Sequence, residues 1–266
     1  MKLIALQPKY RAGEHPDQII ADFLLEQLSQ TEPDSLVVLP EYSNAGGLSD
    51  PALELQALPR AKVMLEAGQK TAAEKGAYVA VNVLEKREDA LYNSTYLYGK
   101  QGETIFVYDK IHLPPSEVAL GVAYGAGACT CEADGIRFGF LTCYDIYYNE
   151  QIEYLAAQKP DVIIFPVYQR GERADIVRAQ AMLTAFRCNA WVVRSSYSMD
   201  DDTRGGCTMI VAPDGRIVQD LGSAVGSIAA DADLKEKYMR SAGFGGGTVR
   251  NDDFIAIGLR PQVFRT

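Results

Sequence analysis

Histidine is scarce in this chain: 2 among 266 residues, His15 and His112. The 5 cysteines, Cys129, Cys131, Cys143, Cys188 and Cys207, lack the two-residue gap of a zinc knuckle, since Cys129 and Cys131 enclose only Thr130. Neither a metal centre nor another cofactor is expected from so poor a ligand set. An odd cysteine count in a mid-sized chain points to reduced thiols and a cytoplasmic location. Positive charge is also short, 26 Lys and Arg against 35 Asp and Glu, for a net charge of −9. That balance removes the basic footprint of a nucleic-acid binder. No apolar run approaches membrane-spanning length. The start Met1-Lys-Leu-Ile-Ala-Leu-Gln7 has one basic residue and too short an apolar stretch for a signal peptide. Neither nucleic acid nor membrane is an expected partner.

What is present is an ordinary globular composition, 47% hydrophobic and 23% charged. Strand and helix patterns alternate without a convincing linker. A strand over 2–7 precedes a helix around 16–30, a strand over 35–40 and a helix around 59–75. Strands near 77–84, 91–98 and 103–109 follow. A helix after Cys143, a strand near 161–165, a helix around 174–188 and a strand near 190–195 come next. Strands near 206–212, 216–220 and 226–231 close the pattern. Such mixed runs predict two sheets with helices outside, a layered α/β domain. Gly243-Phe-Gly-Gly-Gly247 lacks the strand-to-helix setting of a phosphate loop and reads as a flexible tail turn.

Cys143 is the residue most suggestive of chemistry. It ends the apolar run Ile136-Arg-Phe-Gly-Phe-Leu-Thr142 and precedes a helical pattern, Gln151-Ile-Glu-Tyr-Leu-Ala-Ala-Gln158. The mouth of a strand is where α/β proteins place reactive groups, and a helix start favours a thiolate. Most free cysteines are nevertheless buried and inert. Two other strands end in charged residues: Ser35-Leu-Val-Val-Leu-Pro-Glu41, where Pro40 ends the pairing and delivers Glu41, and Glu103-Thr-Ile-Phe-Val-Tyr-Asp-Lys110, which a proline-rich turn follows. Glu41, Lys110 and Cys143 supply a base, a cation and a nucleophile. A thiol needs a base to take its proton, and a carbonyl under attack needs a cation or N–H donors for its developing charge.

Three segments carry a resemblance: Leu39-Pro-Glu41, Tyr108-Asp-Lys-Ile-His-Leu113 and Leu141-Thr-Cys-Tyr-Asp145. Together with their separations, 110 − 41 = 69 and 143 − 110 = 33 positions, they make the chain similar to the nitrilase superfamily of carbon–nitrogen hydrolases. Lys2–Gln7 resembles its first strand, and Ala212-Pro-Asp-Gly-Arg216 its late hairpin. The resemblance covers nearly the whole chain. It implies a four-layer αββα sandwich in a single domain over 1–266, with a carboxyl-terminal tail from about 243. It also implies a Glu41–Lys110–Cys143 triad, an acyl-enzyme on sulfur, no metal, and a homodimer or larger assembly packed through the helix after Cys143 and that near 174–188.

Several residues have two readings. Glu117 is implied as a second active-site glutamate, orienting Lys110 or assisting proton transfer; the alternative is a solvated loop glutamate. His112 invites a Cys–His dyad, whereas the resemblance makes it structural. Asp145 is expected to tie down backbone N–H groups around the cysteine. Tyr144 and Tyr147 are the expected substrate contacts, Tyr144 through its backbone N–H as an oxyanion donor. Tyr147 stands where many relatives carry Arg, which removes a possible carboxylate clamp. Asp200, Asp201 and Asp202 either attract an amine at a pocket mouth or form a solvated acidic loop. Tyr144-Asp145 after the cysteine, in place of Trp-Glu, favours an amidase over a true nitrilase. The expected reaction is cleavage of a small-molecule linear amide or N-carbamoyl C–N bond. Acyl transfer, and binding without turnover on the same fold, are the alternatives.

Overall fold

The computed structural model describes residues 1–10, 14–48 and 50–260. The first half of the chain builds one sheet. Strands β1 (Lys2–Gln7), β2 (Ser35–Val38) and β3 (Tyr78–Arg87) run parallel. The crossovers are α1 (Pro16–Ser29) and, beyond the short α2 (Pro51–Gln56), α3 (Leu58–Lys75). Antiparallel β4 (Ala90–Tyr98) and β5 (Thr104–Asp109) extend the sheet.

After α4 (Pro115–Leu120), the chain moves to a second sheet through the hairpin β6 (Thr130–Ala133) and β7 (Ile136–Phe140). A 3-10 turn (Cys143–Tyr147) and α5 (Asn149–Gln158) lead into β8 (Val162–Pro166). Helix α6 (Ala174–Cys188) leads into β9 (Trp191–Ser195), followed by β10 (Met209–Val211) and β11 (Ile217–Asp220). Strand β12 (Gly226–Asp231) then returns to pair antiparallel with β1. The two six-stranded sheets have the orders β12-β1-β2-β3-β4-β5 and β11-β10-β9-β8-β7-β6.

Side-chain alternation stacks the layers. Leu36 and Val38 of β2 join the cluster between the sheets, with Leu3 and Tyr78 from the first sheet and Phe138, Phe140 and Trp191 from the second. Val37 and Leu39 point the other way, onto Ile20, Leu24 and Leu28 of α1 and Met64 of α3. A two-residue period on the strand thus meets a four-residue period on the helix. Each such buried leucine contributes about 1.5–3 kcal/mol. Gly68 lets α3 lie close to the sheet, since a Cβ there would strike Val81 Cγ2. On the far side, Ile152 and Leu155 of α5 and Val177, Ala181 and Ala185 of α6 cover the second sheet. The architecture is the expected αββα sandwich.

The segment expected as a tail is folded through residue 257. Strands β13 (Met239–Ser241) and β14 (Thr248–Arg250) form a hairpin whose turn is the glycine run, and α7 (Asn251–Ile257) follows. Asn251 Nδ2 donates to Phe186 O at 2.6 Å and fastens the unit to α6. Residues 261–266 of the expected tail lie outside the described residues. Among the described residues no helix is long and apolar enough to cross a membrane.

Candidate active site

Strands of both sheets deliver their carboxyl ends to one cavity of about 150 Å³, lined by Glu41, Lys110, Glu117 and Cys143 among others. Glu41 follows β2 past Pro40, Lys110 follows β5, and Cys143 follows β7. Glu117 lies in the first turn of α4 and is buried, so it is not the solvated loop glutamate of the alternative reading.

Lys110 Nζ donates to Glu41 Oε1 at 2.8 Å and to Glu117 Oε1 at 2.9 Å. Both ion pairs are fully enclosed: Lys110 and Glu41 are each 1% exposed. Asn93 Nδ2 bridges the same two oxygens, at 2.7 Å to Glu41 and 2.9 Å to Glu117. Tyr42 Oη also donates to Glu117 Oε1, at 2.6 Å. The second oxygens, Glu41 Oε2 and Glu117 Oε2, are buried and have no hydrogen-bond partner among the described residues. Each carboxylate therefore keeps an acceptor uncommitted beside the cavity.

Two residues at the site have left-handed backbones, Tyr42 (φ 57°) and Cys143 (φ 44°). Non-glycine residues hold such angles only where neighbours fix them. Tyr42 N–H donates to Asn82 Oδ1 at 2.8 Å, while Tyr197 Oη donates to Glu41 O at 2.6 Å. At the cysteine, fully buried Asp145 does the fixing. Its Oδ2 accepts Thr142 N–H at 2.8 Å and Tyr108 Oη at 2.7 Å, and its Oδ1 accepts His112 N–H at 2.9 Å. Asp145 thus ties the cysteine turn to the segment just past Lys110. Gly125 packs on that segment from outside: its N–H donates to Lys110 O at 2.9 Å, and a Cβ there would strike Asp109 O.

His112 does not line the cavity. Its Nδ1 lies 3.0 Å from Asp145 Oδ1 and 2.9 Å from Gln151 Oε1, and its ring stacks on Tyr148 at 3.8 Å between centroids. The hydrogen bond to Asp145 raises its pKa above the ordinary histidine value, against the opposing effect of burial.

The electrostatics differ from the expectation of a ready thiolate. Burial, reinforced by the Glu41 charge, pushes the Cys143 thiol well above its ordinary value, although Lys110 and a backbone hydrogen bond from Tyr168 oppose the shift. The helical positive end is also weaker than expected: Cys143 opens a 3-10 turn, and α5 begins only at Asn149. Burial likewise raises Glu41, outweighing Lys110. Burial works against the Lys110 ammonium too, yet Glu41 and Glu117 together hold its pKa above the ordinary lysine value.

Some expected residues lie elsewhere. Neither Tyr144 nor Tyr147 has a side chain lining the cavity. Tyr147 is exposed and donates to Glu172 Oε1 at 2.9 Å. Asp200, Asp201 and Asp202 do not line it either. Asp200 pairs with Lys9 at 2.7 Å, Asp201 accepts from Thr203, and Asp202 accepts from Ser223. They form a solvated loop with partners of their own, not an amine-attracting rim of the cavity. Conversely, Asn93, Tyr42, Tyr168, Glu54 and Arg170 reach the site without having been anticipated. A signal existed for Asn93: the polar run Asn93-Ser-Thr95 lies inside β4 and is buried throughout. Among the described residues no group of three or more His, Cys, Asp or Glu is arranged to hold a metal ion.

A buried carboxylate and ammonium thus stand beside the partly buried Cys143 thiol at one cavity of an αββα sandwich. The profile of the carbon-nitrogen hydrolase family matches residues 21–240, and the chain belongs to that family. It is 27% identical over 172 residues to a 2-oxoglutaramate amidase of Bacillus subtilis, and 29% identical over 166 residues to a nitrilase of Pyrococcus abyssi. These alignments cover 63% and 60% of this chain, and 66% and 62% of those proteins. The chain therefore spans somewhat under two thirds of the curated relatives it matches here. The fold superposes on an amidase of the nitrilase superfamily from Nesterenkonia sp. AN1 with a TM-score of 0.74, at 16% identity, covering 87% of this chain and 90% of that one.

Proposed function

We propose that the protein hydrolyses a small linear, non-peptide amide or N-carbamoyl compound through an acyl group held on Cys143. The supporting observation is the buried Glu41–Lys110 pair at the cavity that Cys143 lines. In this reading the Cys143 sulfur attacks the amide carbonyl while its proton passes to Glu41 Oε2, the uncommitted oxygen. Lys110 and the Tyr144 backbone N–H receive the developing oxyanion; Tyr144 follows the nucleophile at the start of a helical turn, where N–H groups ordinarily lack an intrahelical acceptor. Glu41 returns the proton to the leaving nitrogen, the C–N bond breaks, and ammonia or an amine departs. Water then gives a proton to Glu41 and its oxygen attacks the thioester, releasing the acid and restoring the thiol. Glu117 holds Lys110 in place throughout.

High resting pKa values suit this scheme. The thiol need not be ionised beforehand if its proton moves as the bond to carbon forms. All five cysteines are free, in keeping with a reducing cytoplasm. Exposed Tyr154 on α5 and Ile176, Met182 and Leu183 on α6 offer an apolar face for self-association into a homodimer or larger.

The test is an ammonia-release screen over amides, carbamoyl compounds and nitriles, run beside Cys143→Ala. The variant is expected to stay folded and lose all turnover, and mass spectrometry of the wild type stopped during turnover is expected to find the acyl group on Cys143. Wild-type activity in Cys143→Ala, or an acyl group on another residue, refutes the reading.

A further inference from the structure

The cavity carries a second pair of charges that the chemistry above leaves unused. Glu54 on α2 and Arg170, just past β8, line it together with the reacting groups. Glu54 is half-buried and Arg170 exposed, so they mark the mouth, whereas Lys110 and Glu41 mark the floor. Each senses the other's charge, yet among the described residues neither is joined in an ion pair.

Arg170 is braced without a carboxylate. Its guanidinium lies 4.8 Å from the Tyr168 ring centroid, and Nη1 donates to Tyr10 Oη at 3.1 Å. The preceding residue is anchored by fully buried Arg194, whose Nη2 donates to Gln169 Oε1 at 2.9 Å. A guanidinium steadied on an aromatic face keeps its remaining donors oriented for a planar anion. Lys110 is already engaged by two glutamates, and Tyr147 is turned away toward Glu172. Arg170 is therefore the lining cation left for a ligand.

We propose that Arg170 and Glu54 are specificity-determining residues that grip a zwitterionic substrate end, an α-amino-acid headgroup, with its carboxylate on Arg170 and its ammonium on Glu54, while the amide at the other end meets Cys143. This rests on the amide-hydrolase reading and names its substrate class. The lining holds three carboxylates, Glu41, Glu54 and Glu117, against two cations, Lys110 and Arg170. A lone carboxylate leaves Glu54 unanswered, and a lone ammonium leaves Arg170 unanswered. A zwitterion satisfies both mouth charges and adds no net charge. A cavity of about 150 Å³ suits so short a molecule; pockets for drug-sized ligands run to about 300–1,000 Å³.

The experiment measures binding to Cys143→Ala by calorimetry, and ammonia release by the wild type, over a matched series: glutamine (both charges), glutaramate (carboxylate), γ-aminobutyramide (ammonium) and butyramide (neutral). Asparagine and its analogues repeat the series with a shorter spacer. At one spacer length the zwitterion is expected to bind at least about 10-fold more tightly than the neutral amide, the scale of charge-assisted hydrogen bonds in a partly wet site. Adding Arg170→Gln should remove about 10-fold from the members that carry a carboxylate, and Glu54→Gln about as much from those that carry an ammonium. Both should leave butyramide within about twofold, which a merely structural role would not do. Zwitterions that bind no better than the neutral amides at either length overturn the inference, as does equal weakening of all members. Failure of the wild type to release ammonia from every amide, neutral ones included, overturns the hydrolase reading instead, and the binding data still decide the clamp.

Discussion

Asn93 is the sharpest place to test the site, because one amide group serves two carboxylates. Its Nδ2 donates to Glu41 Oε1 and Glu117 Oε1 at 2.7 and 2.9 Å, and its Oδ1 accepts Asn82 Nδ2 at 2.8 Å. Asn93→Ala removes all three bonds. A hydrogen bond to a charged group is worth about 1.5–3 kcal/mol, and it favours the ionised form of Glu41 over the neutral one. Its loss raises the Glu41 pKa further in the direction that burial already sets. The acid limb of kcat/KM should therefore move to higher pH, and on that limb the variant should fall by about 10–100-fold, the same energy expressed as a rate ratio. On the alkaline side of the limb most of the activity should return. Stability should drop by about 1–3 kcal/mol, since Asn82 Nδ2 keeps only its 3.0 Å contact with Thr95 Oγ1. The assay is a pH profile of both proteins beside urea unfolding. A uniform loss at every pH, with the limb unmoved, refutes the argument that Asn93 acts through Glu41.

Glu117→Leu should be among the most destabilising single changes, by about 3–5 kcal/mol in urea unfolding, because Lys110, Asn93 and Tyr42 all lose an acceptor in a dry site; Glu117→Gln should recover much of the stability while kcat stays low. His112 sets a pH dependence of stability. Its folded pKa is raised, so its contribution is complete below the unfolded value of about 6.5 and is lost as pH rises through the folded value. Wild-type unfolding free energy should accordingly decline above about pH 6.5 relative to His112→Gln, and parallel curves for the two proteins would refute the Asp145 pairing as its cause. In light scattering the wild type should be a dimer or larger at micromolar concentration, and Leu183→Glu, on the exposed face of α6, should shift it toward monomer; a wild type that is only monomeric ends that proposal.

Much of this protein was legible in one dimension. The apolar run Leu36-Val-Val-Leu39 and that before Cys143 are local patterns, and local patterns decide strands. The carboxyl ends of β2, β5 and β7 in turn place Glu41, Lys110 and Cys143 on one side of the sandwich. The residues that tune these groups were harder to read. Asn93 comes from a strand whose antiparallel pairing with β3 and β5 sets its register, and only that register aims its amide between Glu41 and Glu117. Glu54 and Arg170 lie 116 positions apart, 170 − 54, and meet at the mouth because α2 and the segment after β8 belong to opposite sheets. Tyr147 sits one helical turn from the nucleophile in sequence, yet its ring leaves the cavity because the 3-10 turn rotates it toward Glu172. The pKa directions also belong to the folded state. They follow from burial, and burial is a property of what the rest of the chain packs around a residue. By itself the sequence determined the layers and the candidate site groups, through periodicity and residue chemistry. Only the tertiary structure decided which charges face the cavity, since that depends on contacts between segments far apart along the chain.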